Sequence, residues 1–307
     1  MTEMIKNILA IRSDRFGEFL LNIPAFRALK ETYPGARLSL AVSQQVKELA
    51  ECVEYADKVV VWDDAFKKNL KKLKFDTCVI LNPAKEAHWL SFWAGIPRRV
   101  GYNRKWGILL THKMKDDKNL GLKHEVEYNL DLVGLIGAKN KEIVSSGLRL
   151  PRNDKYDYLA GAIAVHPFTS DTLKQWPVDR FQQLIKRLSE ERKVKVLVVG
   201  RDDIVGGEYF DNLGDNIINL VNKTSLIELA QLLKQCRITV TCDSGPMHLS
   251  AAVGTPVIAL FRNDLPGKTA RRWGPWGYGH IVIEKANLSD ISVEDVLREI
   301  MNIKLSF

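Results

Sequence analysis

Short runs of β-branched and aliphatic residues alternate with amphipathic stretches along the whole chain. The runs have the length and composition of buried strands, whereas the stretches repeat apolar residues with the spacing of one helix face. Strands are predicted at residues 7–12, 37–42, 58–62, 77–82, 99–102, 162–167, 195–200, 216–220, 238–242 and 256–261. Helices are predicted at residues 20–32, 65–73, 126–136, 178–192, 226–235 and 293–304. This alternation predicts an α/β fold with parallel sheets covered on both faces.

The polar segment at residues 137–157 interrupts the alternation and has little periodicity of its own. It separates two βα series of similar size, and a length of 307 residues suits two domains of about 150 residues each. We therefore expect two doubly wound domains, residues 1–150 and residues 151–307. Ligands bind such sheets at the carboxyl ends of the strands, so we expect the functional residues in a cleft that both sheets border with those ends.

The composition is ordinary for a soluble globular protein, with 46% hydrophobic and 27% charged residues. No apolar run approaches the roughly 18 residues of a membrane span, and the N-terminal segment lacks the long apolar region of a signal peptide. We expect a cytoplasmic protein. The four cysteines form no C-x-x-C pair, which predicts reduced thiols rather than disulfides or a zinc ribbon.

The net charge of +8 is concentrated in the N-terminal half, because residues 1–150 contain 25 Lys and Arg against 18 Asp and Glu. Much of this excess lies in the run KKNLKKLK, whose spacing puts Lys67, Lys71 and Lys74 on one face of the predicted helix. Such a face is either simply solvated or attracted to the head groups of anionic lipids. Nucleic acid is a weaker alternative, because no aromatic residues are interleaved with the lysines for base stacking.

A turn between two strand runs, in the stretch TCDSGPMHLSAAVGTPVIALF (residues 241–261), is rich in polar and small residues. Asp243 falls at the carboxyl end of a predicted strand, and Ser244 is suited to cap the helix that follows. Gly245 permits close approach of a ligand to the backbone, and His248 lies one turn into the helix. The free N–H groups of a helix N-terminus bind phosphate, so this turn is a candidate anion site. The alternative is an ordinary capped helix with a buried histidine.

A second turn of this type connects the predicted strand at 162–167 to a helix that begins near Pro177. Four polar side chains of this connection are candidate ligand contacts: His166, Thr169, Ser170 and Lys174. Hydroxyl groups and a lysine ahead of a helix N-terminus form a second candidate phosphate site, although neither a Walker A sequence nor G-x-G-x-x-G is present. The sequence KQWP is alternatively an ordinary helix entry in which Trp176 packs as a hydrophobic staple. Two such turns in one domain favour a nucleotide diphosphate as the ligand.

The first predicted strand ends in the polar sequence RSDRFGE. This turn contributes four candidate ligand contacts and one candidate catalytic group: Arg12, Ser13, Arg15 and Gly17, and Glu18. Gly17 permits a tight turn, after which Glu18 would open the helix. A carboxylate at a helix N-terminus is stabilised as the anion, so capping alone accounts for Glu18. It could equally act as a general base toward a hydroxyl nucleophile, and the local sequence leaves both roles open.

Together these motifs resemble glycosyltransferase family 9, the bacterial lipopolysaccharide heptosyltransferase family. The resemblance covers most of the chain and rests on SDRFGEFLLNIPAFRALKETYPGARLSLAV, KHEVEYNLDLVGLIG, AVHPFTSDTLKQWPVDRFQQLI and LVNKTSLIELAQLL…VTCDSGPMHLSAAVGTPVIALF. The combination of D-[ST]-G-x-x-H with K-x-W-P is fairly specific. The resemblance implies a GT-B fold, with an acceptor-binding Rossmann-like domain at residues 1–150 and a nucleotide-sugar-binding one at residues 151–307.

The resemblance also implies an inverting, metal-independent transfer of a heptose from an ADP-activated donor to the lipid A–core oligosaccharide, without a cofactor. By position, it makes Glu18 the catalytic base and Lys174 a phosphate-binding residue. It places four residues in the donor-binding loop: Asp243, Ser244, Gly245 and His248. The chain departs from the family at two positions, because Glu18 stands where the family usually has Asp and Arg262 replaces the glycine of a common F-G-x-T segment.

The expected partners are a nucleotide sugar and an anionic glycolipid, with no nucleic acid, and the expected location is peripheral, on the inner face of the inner membrane. The expected donor contacts outside the loop are His166, Thr169, Ser170 and Lys174. The expected acceptor contacts are Arg12, Ser13, Arg15 and Gly17. Three alternatives stay open: transfer from another nucleotide sugar, epimerisation of a sugar nucleotide, and binding of a nucleotide sugar or glycolipid without catalysis.

Overall fold

The computed structural model of the 307-residue chain describes residues 5–82, 84–104, 106–139, 147–201 and 207–303. The chain divides into two compact units, Met1–Arg149 (unit 1) and Leu150–Phe307 (unit 2). Within the described residues, each unit is built on one six-stranded parallel sheet with helices between the strands. This is the expected α/β architecture, with two Rossmann-like sheets.

Unit 1 forms its sheet from strands that alternate with short helices. The strands are β1 (Asn7–Arg12), β2 (Arg37–Val42), β3 (Lys58–Val61), β4 (Thr77–Ile80), β5 (Arg98–Tyr102) and β6 (His112–Met114). The described α-helices are α1 (Phe16–Leu20), α2 (Ile23–Thr32), α3 (Lys47–Glu51), α4 (Asp64–Asn69), α5 (Lys85–Trp93) and α6 (Glu125–Gly134). The strand order is β3-β2-β1-β4-β5-β6, with parallel neighbours throughout. The order reverses between β1 and β4, so their carboxyl ends border the crevice in which such sheets bind ligands.

Unit 2 repeats this arrangement. Its strands are β7 (Ile163–His166), β8 (Val196–Val198), β9 (Ile217–Asn219), β10 (Ile238–Cys242), β11 (Val257–Arg262) and β12 (Ile281–Lys285). Its described α-helices are α7 (Val178–Arg192), α8 (Leu226–Gln235), α9 (Gly245–Ala252), α10 (Ala270–Trp273) and α11 (Val293–Asn302). The strand order is β12-β11-β10-β7-β8-β9, again parallel throughout, and it reverses between β7 and β10.

All ten predicted strands are present, and their ends differ from the prediction by at most two residues. The hydrophobic pattern missed the edge strands β6 and β12 and the helices α3, α5 and α10. No residue of β12 is fully buried, and β6 has only three residues, so neither strand produces a continuous apolar run. The predicted helix at 20–32 begins three residues too early, because it corresponds to α2, Ile23–Thr32, with Pro24 in the first turn. The separate short helix α1 ends at Leu20.

The lysine-rich run of unit 1 differs from its prediction. Helix α4 covers only the first part of the predicted helix at 65–73, and a 3-10 helix, Leu70–Leu73, follows it. The backbone of Lys74 is left-handed, with a φ angle of 50°. Lys67, Lys71 and Lys74 therefore do not share one face of an α-helix, which corrects the prediction.

Two predicted segments extend beyond the described residues. The polar segment at 137–157 includes residues 140–146, which lie outside them, and its last part begins a 3-10 helix, Asp154–Leu159. Lys304, at the end of the predicted helix at 293–304, also lies outside them.

The four cysteines are free thiols, and Cys78, Cys236 and Cys242 are buried. This agrees with the prediction of thiols that form no disulfide. Among the helices that the structure describes, none is both long enough and apolar enough to cross a membrane.

Trp176 anchors the core of unit 2 at the entry to α7. The side chain is fully buried, its ring centroid lies 4.8 Å from that of Phe181 in an edge-to-face contact, and its indole N–H donates to the Ile291 carbonyl over 3.0 Å. Trp176 precedes the N-cap residue Pro177, so its contact with the first turn of α7 is a hydrophobic staple. The staple predicted for Trp176 is confirmed, and it fixes the direction in which the chain arrives from Lys174.

Replacing Trp176 with alanine should lower the free energy of unfolding by about 3–5 kcal/mol, because the substitution leaves a large cavity in the core. Urea unfolding followed by far-ultraviolet circular dichroism measures the effect. Tyr278→Ala is the control within the same unit, since Tyr278 is 76% exposed and its loss should change the midpoint little. Equal midpoints for the two variants would contradict the anchoring role.

Candidate active site

The turns that follow β7 and β10 lie side by side at one edge of the unit 2 sheet. The two strands pair in parallel, and Thr241 is the register partner of His166. Because the strand order reverses here, this edge is where Rossmann-like sheets bind nucleotides. Side chains from both candidate phosphate turns meet at this position.

His166, Thr241 and Ser244 form a hydrogen-bonded cluster at the ends of these strands. His166 Nδ1 lies 3.0 Å from Thr241 Oγ1 and 3.3 Å from Ser244 Oγ, and the two hydroxyl oxygens are 3.0 Å apart. Burial lowers the pKa of His166 to about 3, so the imidazole is neutral near pH 7. A neutral His166 cannot attract phosphate by charge. It instead fixes the orientation of the two hydroxyl groups.

The side chain of Ser244 does not cap α9, which corrects the prediction. Ser244 occupies the N-cap position with an extended backbone, but its hydroxyl makes no bond to the first turn of the helix. That hydroxyl bonds to the His166–Thr241 pair instead, so it does not cap the first-turn N–H groups, which begin at Gly245 and exclude Pro246. An anion at this position would satisfy them and would also interact favourably with the helix dipole. His248, the fourth residue of α9, is buried.

An ion pair between Lys174 and Asp243 joins the two turns, although 69 positions separate these residues along the chain. Lys174 Nζ contacts Asp243 Oδ2, and the side chains are only 20% and 10% exposed. Burial raises the pKa of the Asp243 carboxyl group, while the charge and hydrogen bond of Lys174 act in the opposite direction. The pair holds a cation close to the N-terminus of α9.

The other polar residues of the turn after β7 are not part of the His166–Thr241–Ser244 cluster. Thr169 Oγ1 accepts a hydrogen bond from the backbone N–H of Asp171 over 3.3 Å, and Ser170 is exposed. The Asp171 carboxylate accepts from the Leu173 N–H and lies 3.5 Å from Lys268 Nζ. Asp171 thereby fixes the 3-10 helix Thr172–Lys174 that carries the lysine.

Arg262, at the end of β11, contacts the same 3-10 helix. Its guanidinium pairs with Asp264 at 2.6 Å and donates to the Leu173 carbonyl over 3.4 Å. Arg262, which departs from the family pattern, thus lies beside the 3-10 helix that carries Lys174, and Asp264 balances its charge. In the part of the chain that the structure describes, no three His, Cys, Asp or Glu side chains are grouped closely enough to hold a metal ion.

Gly200 is a site residue that the sequence interpretation missed. Its φ angle is +134°, and a Cβ atom there would lie 2.6 Å from His166 Cδ2 and 2.9 Å from Phe168 Cδ2. Any other residue would therefore be strained and would displace the His166 ring. The signal in the sequence is the glycine that ends the run VLVVG.

In unit 1, Glu18 lies in the first turn of α1, just after the carboxyl end of β1. Burial raises the pKa of Glu18 above its ordinary value of 4.5, and a backbone hydrogen bond and the charges of Arg12 and Arg15 partly oppose this shift. A raised pKa makes a carboxylate a stronger proton acceptor. Arg15 is the exposed N-cap residue. Gly17 has helical backbone as the second residue of α1, so the tight turn predicted there is not formed.

Arg12 and Ser13 tie the carboxyl ends of β1 and β4 together. The guanidinium of Arg12 donates to the Leu81 carbonyl over 2.9 Å and to Asp14 Oδ1 over 2.7 Å, and the residue is only 4% exposed. Asn82 Nδ2 donates to Ser13 Oγ over 3.2 Å. These contacts are internal to the sheet edge, so the observed role of Arg12 is to shape this edge.

Two buried asparagines that the sequence interpretation missed hold the turn after α1. Asn22 Nδ2 donates to the Glu18 carbonyl over 2.6 Å, and Asn129 Nδ2 donates to the Leu21 carbonyl over 3.2 Å. Asn129 lies on α6, within the motif KHEVEYN. That motif contributes to this region by fixing the backbone that carries Glu18.

Two doubly wound parallel sheets, with polar side chains gathered where each strand order reverses, define a GT-B-like fold of the kind found in glycosyltransferases. A family model described as glycosyltransferase family 9 (heptosyltransferase) matches residues 64–297. The chain belongs to glycosyltransferase family 9. It is therefore a glycosyltransferase.

Individual proteins similar to this chain agree with the family. A Haemophilus influenzae protein, whose name goes no further than glycosyltransferase, is 25% identical over 96% of each chain. The structure of Escherichia coli ADP-heptose LPS heptosyltransferase II is similar with a TM-score of 0.81 and 21% identity, over 97% of this chain and 98% of that one. The structure of Escherichia coli heptosyltransferase WaaC with ADP is similar with a TM-score of 0.77 and 17% identity, over 97% of this chain and 100% of that one.

Replacing Lys174 with methionine should destabilise the protein by up to about 3 kcal/mol at pH 8, because it leaves the buried Asp243 carboxylate without its cation. Without Lys174, the pKa of Asp243 rises further above its ordinary value of 3.8, so the folded state binds more protons than the unfolded state. The free energy of unfolding therefore falls as the pH rises above about 4, and the loss should be smaller at pH 5 than at pH 8. Urea unfolding at both pH values measures it.

A double variant, Lys174→Met with Asp243→Asn, should recover most of this loss, because no buried charge is left unpaired. Lys186→Met is the control, since Lys186 is 59% exposed and its ion pair with Glu190 is long, at 3.9 Å. A loss that is independent of pH and equal in the single and double variants would show that the pair does not contribute through its charge.

Proposed function

We propose that the chain transfers a heptose from ADP-heptose to a lipopolysaccharide core or a related envelope glycolipid, with inversion at the anomeric carbon. In this proposal residues 151–307 bind the nucleotide sugar and residues 1–150 bind the acceptor. The observation that carries the proposal is the Lys174–Asp243 pair beside the first turn of α9. A held cation and a helix N-terminus at the reversal point of a Rossmann-like sheet suit a diphosphate. Similarity to heptosyltransferases, one of them described with ADP, supports the choice of donor.

The donor contacts follow from the chemistry of the two turns. Lys174 and the N–H groups of α9 would neutralise the diphosphate, and the exposed hydroxyl of Ser170 would donate to it. The hydroxyl of Ser244 is already oriented by the neutral His166, so it too is prepared to meet a phosphate oxygen. Within this proposal His166 is a positioning residue. The remaining donor contacts that we propose are Thr169, Asp243, Gly245 and His248.

Glu18 is proposed as the general base. Its carboxylate takes the proton of an acceptor hydroxyl while that oxygen forms a bond to the anomeric carbon of the heptose. The bond between that carbon and the diphosphate oxygen breaks, and its electron pair leaves with ADP. The developing charge is met by Lys174 and the first turn of α9. Asn22 and Asn129 act as positioning residues, because they fix the backbone on both sides of Leu20.

The remaining acceptor contacts are proposed at the same edge of the unit 1 sheet. Arg15 offers an exposed cation to the phosphate groups of an anionic glycolipid, while Arg12, Ser13 and Gly17 shape the surface beneath it. We propose that neither a metal nor a cofactor takes part, so transfer should be unchanged by EDTA. The protein would work at the cytoplasmic face of the inner membrane, held there peripherally.

Glu18→Gln should lower the rate of transfer by about 10²–10⁴-fold and leave the affinity for ADP unchanged, because it removes the proton acceptor alone. In the unmodified protein the rate should fall as the pH falls through the pKa of Glu18, which burial raises above 4.5. This acidic limb should be absent in the variant. Rates from pH 4.5 to 9 with ADP-heptose and isolated core acceptor test both points.

Glu48→Gln is the matched control, since Glu48 is an exposed glutamate of the same unit. Glu18→Asp should retain the acidic limb at a reduced rate, because the shorter carboxylate keeps the chemistry but reaches less far. A Glu18→Gln variant that transfers at the full rate would remove Glu18 from the mechanism.

ADP should stabilise the protein more than UDP, GDP or CMP in a thermal-shift panel, because the donor side is proposed to bind the ADP portion of the donor. At a concentration of about 100 times Kd, binding stabilises the folded state by about 2.7 kcal/mol. The shift should shrink in Lys174→Met and persist in Glu18→Gln. A larger shift with UDP or GDP would overturn the ADP-heptose assignment and leave the fold untouched.

A further inference from the structure

Five exposed apolar side chains form one surface on unit 1, here called the tryptophan patch. Its members are Trp89 (45% exposed), Phe92 (42%), Trp93 (60%), Trp106 (43%) and Ile108 (81%). The centroid of the Trp89 ring lies 5.4 Å from that of Trp93 and 5.8 Å from that of Trp106, so the indoles form a continuous surface. A contiguous exposed aromatic surface marks an interaction site rather than scattered exposure.

The tryptophan patch occupies two neighbouring parts of unit 1. Three members lie on the solvent side of α5, and Trp106 and Ile108 lie in the connection between β5 and β6. That connection leaves β5 at its carboxyl end, and the turn that carries Glu18 leaves β1 at the same edge of the sheet. The patch therefore begins on the edge at which the acceptor is proposed to bind.

The segment of sequence that carries the tryptophan patch is rich in basic residues. Residues 85–115 contain one acidic residue, Glu86, and seven basic ones, Lys85, Arg98, Arg99, Arg104, Lys105, Lys113 and Lys115. This segment accounts for most of the excess of 25 basic over 18 acidic residues in residues 1–150. Lys85, Lys113 and Lys115 are exposed, and the guanidinium of Arg99 lies 5.5 Å from the centre of the Phe92 ring. At least one ring of the patch, that of Phe92, therefore has a cation beside it.

In the lysine-rich run, Lys67 has acidic neighbours. Lys67 is only 18% exposed and contacts Glu86 at 3.0 Å and Asp64 at 3.7 Å. Its Nζ also lies 5.8 Å from the centre of the Trp62 ring. Lys67 of the run, which the sequence analysis gave as either solvated or lipid-facing, is therefore partly neutralised. The tryptophan patch differs from the run in its exposed aromatic rings.

We propose that the tryptophan patch docks unit 1 onto an anionic phospholipid surface. Indole rings favour the head-group level of a bilayer, where an apolar ring and a polar N–H are both satisfied. Lysine and arginine around them attract anionic head groups. The docking proposal rests on the proposed function in one respect, because a glycolipid acceptor would lie in the membrane to which the patch binds.

A second copy of this chain is a poorer occupant. A symmetric dimer places the same patch on both sides of the contact. The basic segment at residues 85–115 would then face itself, and like charges would repel. An anionic lipid surface complements both the rings and the charge.

Co-sedimentation with vesicles tests the proposal. The full-length protein should bind vesicles of phosphatidylcholine with 30% phosphatidylglycerol, bind pure phosphatidylcholine vesicles weakly, and dissociate as salt is added. The double variant Trp93→Ala/Trp106→Ala should bind the anionic vesicles at least about tenfold more weakly. The double variant Lys113→Glu/Lys115→Glu should lose most of the preference for anionic lipid.

Each variant has a matched control. Tyr209→Ala/Tyr278→Ala removes two side chains of unit 2 that are 55% and 76% exposed, and it should bind vesicles as the unmodified protein does. Lys71→Glu/Lys72→Glu makes the same charge change in the lysine-rich run and should have the smaller effect. Circular dichroism and the thermal midpoint confirm that each variant is folded.

Three outcomes would overturn the proposal. The unmodified protein could show no preference for anionic vesicles, or the tryptophan variant could bind them undiminished. The tryptophan variant could also change the oligomeric state in light scattering while vesicle binding stays the same, which would make the patch a contact between copies.

A transfer assay separates this proposal from the proposed function. The tryptophan variant should transfer normally to a core oligosaccharide freed of its acyl chains and should lose activity on the same acceptor embedded in vesicles. Loss on both acceptors would contradict a purely docking role. Vesicle binding that depends on the patch, in a protein that does not use ADP-heptose, would refute the proposed function and leave the docking surface standing.

Discussion

In unit 2, the parallel pairing of β7 with β10 sets His166 beside Thr241, although 75 positions separate them along the chain. The polar cluster at that edge depends on this pairing. Backbone hydrogen bonds hold the two strands rigidly, so the turns that follow them have little freedom, and short side chains reach their partners without loop rearrangement. An ion pair between Lys174 and Asp243 then connects the two turns. A site built on strand ends in this way is organised before any ligand arrives.

Unit 1 uses the same strand order with different side chains. The pairing of β1 with β4 brings Arg12 to the Leu81 carbonyl and Ser13 to Asn82, where unit 2 has its hydroxyl and lysine cluster. One architecture therefore presents neutral hydroxyls and a held cation in one unit and a half-buried carboxylate in the other. The difference in chemistry comes entirely from the residues at the strand ends and in the turns after them, which is how Rossmann-like folds vary function.

The strands could be predicted closely because strands of a parallel sheet are buried on both faces and appear as continuous apolar runs. Helix α5 was missed because its aromatic side chains face solvent, so it lacks the polar face of an ordinary surface helix. The proximity of His166, Lys174, Asp243 and Ser244 could be predicted, since the carboxyl ends of neighbouring parallel strands meet at one edge of the sheet. Their contacts could not, because the bond of Ser244 to His166 depends on strand register. Asn129 was missed for the same reason, since nothing local connects it to Leu21.

The burial of His166 makes its protonation state insensitive to moderate changes of pH. Its imidazole stays uncharged throughout the range in which an exposed histidine would titrate, so the orientation of the neighbouring hydroxyls does not change there. The cluster proposed to bind the nucleotide is therefore insensitive, at this residue, to moderate acidification. Under the proposed mechanism, acidification would instead slow transfer through Glu18 of unit 1, whose pKa is raised by burial.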